Sequence, residues 1–148
     1  MHQPTELFSN KALLAAIVAW AIAQFIKTVT DVIEQKKFNL DIIFSSGGMP
    51  SSHSSFVMSM ATYMGLSEGF DSPFFSIAAM VAIVVMYDAA GVRRAAGKQA
   101  ALLNKMIDTF DLKVDEKFKE LLGHTPVQVI AGALLGIIVG SLFFWANM

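Results

Sequence analysis

The stretch from Val127 to Ala146 is apolar almost throughout, with Gln128 and Ser141 as its polar members. About 20 such residues is the length of helix that crosses the hydrocarbon core of a bilayer. Lipid offers backbone groups no partners, so the segment must bond internally, which predicts a transmembrane α-helix. Three weaker stretches precede it. Ala12 to Val29 is interrupted by Gln24 and Lys27, Ser54 to Leu66 is diluted by Ser55, Ser59 and Thr62, and Phe74 to Tyr87 is strongly apolar but short. The second and third reach spanning length only with their polar ends, from Pro50 to Gly69 and from Pro73 to Arg93. Polar groups kept there must face protein or water.

The expected fold class is therefore all-α: a polytopic membrane helix bundle of about four spans, with residues 1–148 as a single domain. Charged residues make up 16% of the chain, against about a quarter in soluble domains, and that deficit also points to lipid. Only Lys11 precedes the first stretch as a cation, with Glu6 nearby, unlike the basic opening of a cleavable signal peptide. The first span is expected to be retained. Cysteine is absent, which excludes disulfides, thiolate metal sites and a cysteine nucleophile.

Small residues recur every fourth position at Gly132, Gly136 and Gly140, and at Ala15, Ala19 and Ala23. That spacing lets helix backbones approach closely in a membrane. Packing within one subunit explains it, and a homo-oligomer stays compatible with it. Between spans three and four, Leu102, Leu103, Met106, Ile107 and Phe110 share helical spacing, with Asn104, Lys105 and Asp108 off that face. A second short helix is expected from Asp115 to Leu122, stopping at Gly123. One or two interfacial helices would thus lie on the bilayer or cap the bundle.

Four spans divide the cations unevenly. Lys27, Lys36, Lys37, Arg93, Arg94, Lys98, Lys105, Lys113, Lys117 and Lys119 fall on one side, and Lys11 alone opposite. The positive-inside rule makes the basic side cytoplasmic. His53 and His124, at the starts of spans two and four, then face the same surface.

Those histidines sit in related settings. His53 follows the small-residue run Ser45-Ser46-Gly47-Gly48-Met49-Pro50-Ser51-Ser52, and His124 precedes Thr125-Pro126, an N-cap with proline at the first helical position. Helix starts present free N–H groups and a positive dipole end, which favour an anion. Imidazole beside such a site can attack phosphorus or protonate a leaving group. Gly48, Ser51 and Ser52 are candidate phosphate contacts, since glycine admits a ligand close to the backbone and serine donates. Each segment alone reads as a capped helix start with an incidental histidine; the pair shifts the balance. Arg93 or Arg94 offers a bidentate fork to phosphate, the other serving as a basic anchor. Asp88, costly near the end of an apolar helix, either holds a histidine or pairs with an arginine. Lys37, with Lys36, stands in a basic loop suited to headgroups.

These residues resemble the divergent branch of the type 2 phosphatidic acid phosphatase superfamily, which includes vanadium haloperoxidases and carries the motifs KxxxxxxRP, PSGH and SRxxxxxHxxxD. Pro50-Ser51-Ser52-His53 is similar to the second motif. His124 to Gly132 resembles the later part of the third, and Gly47 to Ser54 and Val85 to Asn104 resemble signatures of the branch. The resemblance implies metal-free hydrolysis of a phosphomonoester. His124 would form a phosphohistidine, His53 would protonate the leaving alkoxide and then assist water, and Asp88 would support them. No Arg-Pro follows Lys36 or Lys37 at the motif distance, no Ser-Arg precedes His124, and Gln128 replaces the motif aspartate.

The implied protein is an acid-phosphatase-type enzyme of a bacterial-type plasma membrane with its site facing the cytoplasm. Its substrate would be a lipid phosphate such as phosphatidylglycerophosphate or phosphatidate. No cofactor, metal or nucleic acid is expected, because no His/Asp/Glu cluster has ligand spacing. The alternative is a non-catalytic membrane protein that binds anionic headgroups or scaffolds a partner.

Overall fold

The computed structural model describes residues 9–35, 48–114, 116–120 and 122–148. Among the described residues five helices follow in chain order: α1 (Lys11–Gln35), α2 (Ser52–Glu68), α3 (Pro73–Ala90), α4 (Val92–Thr109) and α5 (Pro126–Ala146). No strand occurs among the described residues. Polar caps set the helix starts. Asn10 Oδ1 accepts from Leu13 N–H before α1, and Ser72 accepts from Phe75 N–H before Pro73 opens α3. At α5 the Thr125 side chain accepts from Gln128 N–H, and the Gln128 side chain accepts from Thr125 N–H. This reciprocal pair satisfies two orphan donors of the first turn.

Among the described residues, three helical stretches are long and apolar enough to cross a membrane: Lys11–Ile33, Pro73–Thr109 and Pro126–Ala146. The serine-rich α2, at 17 residues, is not one of them. It instead occupies the centre, in contact with α1, α3 and α5. Ser54, Ser55 and Ser59 are thereby hidden from lipid, as the cost of exposing them requires.

The bundle is small-residued inside and bulky outside. Ala15, Ala16, Ala19 and Ala23 of α1 and Ser51, Ser54, Ser55 and Ser59 around α2 are fully buried, while Phe25, Val84 and Leu142 are exposed. Lipid tails solvate large apolar groups as well as protein does, so helix association rests on close packing. The tightest seam joins α5 to α2. A methyl group on Gly132, Gly136 or Gly140 would lie within 2.6 Å of the carbonyl oxygen of Ser51, Ser55 or Ser59, respectively. Successive glycines meet successive serines in the same order, so the two helices run parallel. Ser55 Oγ donates to Gly132 O at 2.9 Å across this seam.

The polar region after α3 differs from its expectation in one respect. α4 is present and begins directly after Gly91. The helix expected from Asp115 to Leu122 is not: the described residues 116–120 and 122 are non-helical. The Asn104 side chain takes the backbone bonds that a helix would need. It donates to Phe118 O at 2.8 Å and accepts from Phe118 N–H at 2.9 Å. A methyl group on Gly97 would lie 2.6 Å from Glu120 O, so this segment returns flush against α4. Among the described residues, one helix rather than two therefore links α3 to α5.

Candidate active site

Because α2 and α5 are parallel neighbours, both N-termini emerge at the same end of the bundle. Their first-turn N–H groups and positive dipole ends act on one region, a combination that favours an anion. Two backbone bonds fix the geometry there. Ser51 N–H donates to Gln128 O at 3.1 Å, tying the start of α2 to the first turn of α5. His124 N–H donates to Ala89 O at 2.9 Å, tying the approach to α5 to the end of α3. Gly123 makes that approach feasible: its φ is +80°, and a methyl group there would collide with the backbone nitrogen of Arg94.

These ties bring the two imidazoles together. The ring centroids of His53 and His124 are 6.3 Å apart and the planes are inclined by 59°. His53, in the first turn of α2, is exposed. His124 is 3% exposed, and among the described residues neither of its ring nitrogens has a hydrogen-bond partner at standard geometry. Burial holds the His124 pKa below the ordinary histidine value, and the nearby charge of His53 lowers it further. The Gln128 side chain and the Gly48 backbone lie near enough to pull the other way, but burial prevails. His124 is therefore a neutral base near pH 7, the form required of a nucleophile.

The other expected residues divide into three groups. Arg93 lies close enough to bear electrostatically on His53, and its Nε donates to Asp88 Oδ2 at 2.5 Å. Of the two roles weighed for Asp88, the arginine pairing is the one the geometry contains. Arg94 is half-buried and its backbone packs on Gly123. Ser51 is fully buried; its Oγ accepts from Ser54 Oγ at 3.0 Å and caps the helix through Ser54 N–H. Its hydroxyl thus serves the helix start, while Ser52 and His53 carry first-turn N–H groups that an α-helix leaves to outside acceptors. Gly48, at φ +95°, holds the left-handed conformation that glycine tolerates. Lys37, with Lys36, Ser45, Ser46 and Gly47, lies outside the described residues.

The site also holds a residue that motif matching passes over. Lys27 of α1 is 2% exposed, and its aliphatic chain runs beside Gly48, whose missing side chain would lie 2.9 Å from Lys27 Cε. Its charge acts on both imidazoles. The sequence does carry a signal for it: an ammonium that interrupts an apolar helix is costly unless it has a task or a partner. Gln128, standing at the motif aspartate position, uses its carbonyl oxygen on Thr125 N–H at 2.9 Å.

With this arrangement in view, comparison with known proteins places the chain. The sequence profile described as "Divergent PAP2 family" matches residues 8–139. The chain belongs to the divergent PAP2 family. It is also 40% identical over 148 residues to a Bacillus subtilis (strain 168) protein named "Uncharacterized membrane protein YuiD", covering 90% of this chain and 94% of that relative. No solved structure matches the chain. The family and the apolar helices together make this a membrane protein.

Proposed function

We propose that this protein is an integral membrane phosphatase that hydrolyses a lipid phosphomonoester, such as phosphatidate or phosphatidylglycerophosphate, without a metal ion. His124 attacks phosphorus through a ring nitrogen; the P–N bond forms as the P–O bond to the lipid breaks. His53, the exposed member of the pair, gives its proton to the departing alkoxide. Water then attacks the phosphohistidine with His53 as base, releasing phosphate and restoring His124. Lys27, Arg93 and the first-turn N–H groups of α2 bind the phosphoryl oxygens and stabilise their growing charge. The observation that carries this reading is the convergence of two imidazoles and a buried ammonium where two parallel helices begin. The cation distribution supports a site at the cytoplasmic leaflet.

The test is phosphate release by purified protein from a panel of lipid phosphates in mixed micelles. Release that persists in excess chelator, falls with vanadate and vanishes in His124→Ala is expected. Release unchanged in both His124→Ala and His53→Ala would rule the mechanism out. One observation favours a second reading, a headgroup-binding protein without turnover: among the described residues, neither ring nitrogen of His124 makes a hydrogen bond at standard geometry. That reading predicts saturable binding to phosphatidate vesicles, lost in Arg93→Ala or Lys27→Met, with no phosphate released from any lipid.

A further inference from the structure

We propose that the cleft between α1 and α5 seats the acyl chain of the substrate, so that lipid enters sideways from the leaflet. This inference rests on reading the histidine pocket as a phosphoryl site. The cleft has a volume of about 510 Å³ and lies beside that site, because Gly48 and Gln128 line it and also neighbour His124. Its chemistry is graded. At the rim Thr30, Gln128 and the Asp31 carboxylate mix with Met49 and Pro50; deeper along the helices the lining residues Ile26, Ala131 and Leu135 are all apolar. On α5 the strip Gln128, Ala131, Leu135 recurs at three- and four-residue spacing on one face and runs about 10 Å inward at 1.5 Å per residue. A lipid phosphate anchored in the leaflet has the same order of polarity, with phosphate and ester groups above and hydrocarbon below. A soluble phosphomonoester would leave the apolar part of the cleft empty.

A cleft of about 520 Å³ among α2, α3 and α5 is one competing location, and a groove of about 290 Å³ between α2 and α3 is another. Phe56, Met60, Phe74 and Val81 line the groove, and none of the described residues along it is polar. It offers hydrocarbon contact but nothing to position a headgroup.

The experiment uses the full-length protein in phosphatidylcholine vesicles containing a phosphatidate with a diazirine on its acyl chain. After irradiation, labelled peptides are mapped by mass spectrometry. Labelling is expected around Ile26 and around Ala131 to Leu135, displaced by unlabelled dioleoyl phosphatidate. Labelling confined to either cleft beside α3, or labelling that dioleoyl phosphatidate fails to displace, overturns the proposal. A kinetic arm separates the cleft from the chemistry. In Leu135→Trp and Ile26→Trp, kcat/KM for dioleoyl phosphatidate should fall about tenfold, the loss expected when roughly two methylenes leave apolar contact. The same variants should stay within about twofold of the parent on p-nitrophenyl phosphate, which has no chain to seat. Ile138→Trp, on the lipid-facing side of α5, should change neither. Loss on both substrates, or on neither, overturns the cleft. If the parent hydrolyses neither substrate, the phosphatase reading fails and the labelling map still decides where the chain sits.

Discussion

The two histidine segments look alike in sequence and are built differently. His53 rides on the first turn of α2, exposed, behind a serine cap. His124 sits just ahead of its helix, buried, held by its own backbone N–H to Ala89, while its ring nitrogens find no partner among the described residues. Partial burial lowers the pKa of both rings, but His53 still meets solvent and can exchange protons, whereas His124 is almost wholly enclosed. Helix-start chemistry alone does not assign roles to such a pair. Burial does, by separating a proton carrier from a nucleophile across 6.3 Å.

Removing each ring in turn puts that asymmetry under the greatest strain. His124→Ala should abolish turnover, while His53→Ala should lower it by about 10²–10⁴, the usual worth of a general acid–base. The His53→Ala deficit should shrink on p-nitrophenyl phosphate, whose leaving group needs little protonation; an equal deficit on alkyl and nitrophenyl esters would contradict the assignment. Lys27→Met comes next, with an expected loss of about 10² in kcat/KM, typical of a single oxyanion donor. Partial recovery in Lys27→Arg would separate lost charge from lost packing, and full activity in Lys27→Met would remove this residue from the site.

Stability against pH probes the same contrast. The folded pKa of His124 lies below its unfolded value, so the unfolded chain takes up the proton first. Stability should be level above about pH 6.5 and decline as pH falls below it. Melting temperatures from pH 8 to pH 5 should show that decline in the parent and a flatter profile in His124→Gln. An identical slope in both would mean that His124 is not the buried titrating group. The smallest effect belongs to Asp88. Its pairing with Arg93 is substantially exposed, so Asp88→Asn should cost no more than about 1 kcal/mol of stability. A thousandfold activity loss in that variant would instead make Asp88 a partner in the chemistry.

Much of the bundle is legible in the sequence, for physical reasons. Gly132, Gly136 and Gly140 announce a close seam, and the fold supplies their partners as backbone carbonyls of Ser51, Ser55 and Ser59. Those serines, which weaken α2 as a span by hydropathy, are what a central helix shows when its neighbours must come close. The segment from 116 to 122 misleads because Phe118, Leu121 and Leu122 have helical spacing. Periodicity does not register that Asn104, far off in sequence, captures the Phe118 backbone. Counting the helix reversals is enough to expect the histidines at one surface. Their unequal burial is not readable that way, since it arises from the Gly123 turn against the backbone of Arg94. Lys27 is hard to single out because it belongs to no motif.

Trapping the phosphoryl group on the protein decides whether His124 is the nucleophile. His53→Ala protein, mixed with p-nitrophenyl phosphate carrying radioactive phosphorus and quenched in alkali, should hold an acid-labile label, because this leaving group needs no acid to depart while hydrolysis still lacks its base. Peptide mapping should put that label on His124 alone. Turnover without any trapped label, or a label on another residue, would contradict the proposed chemistry.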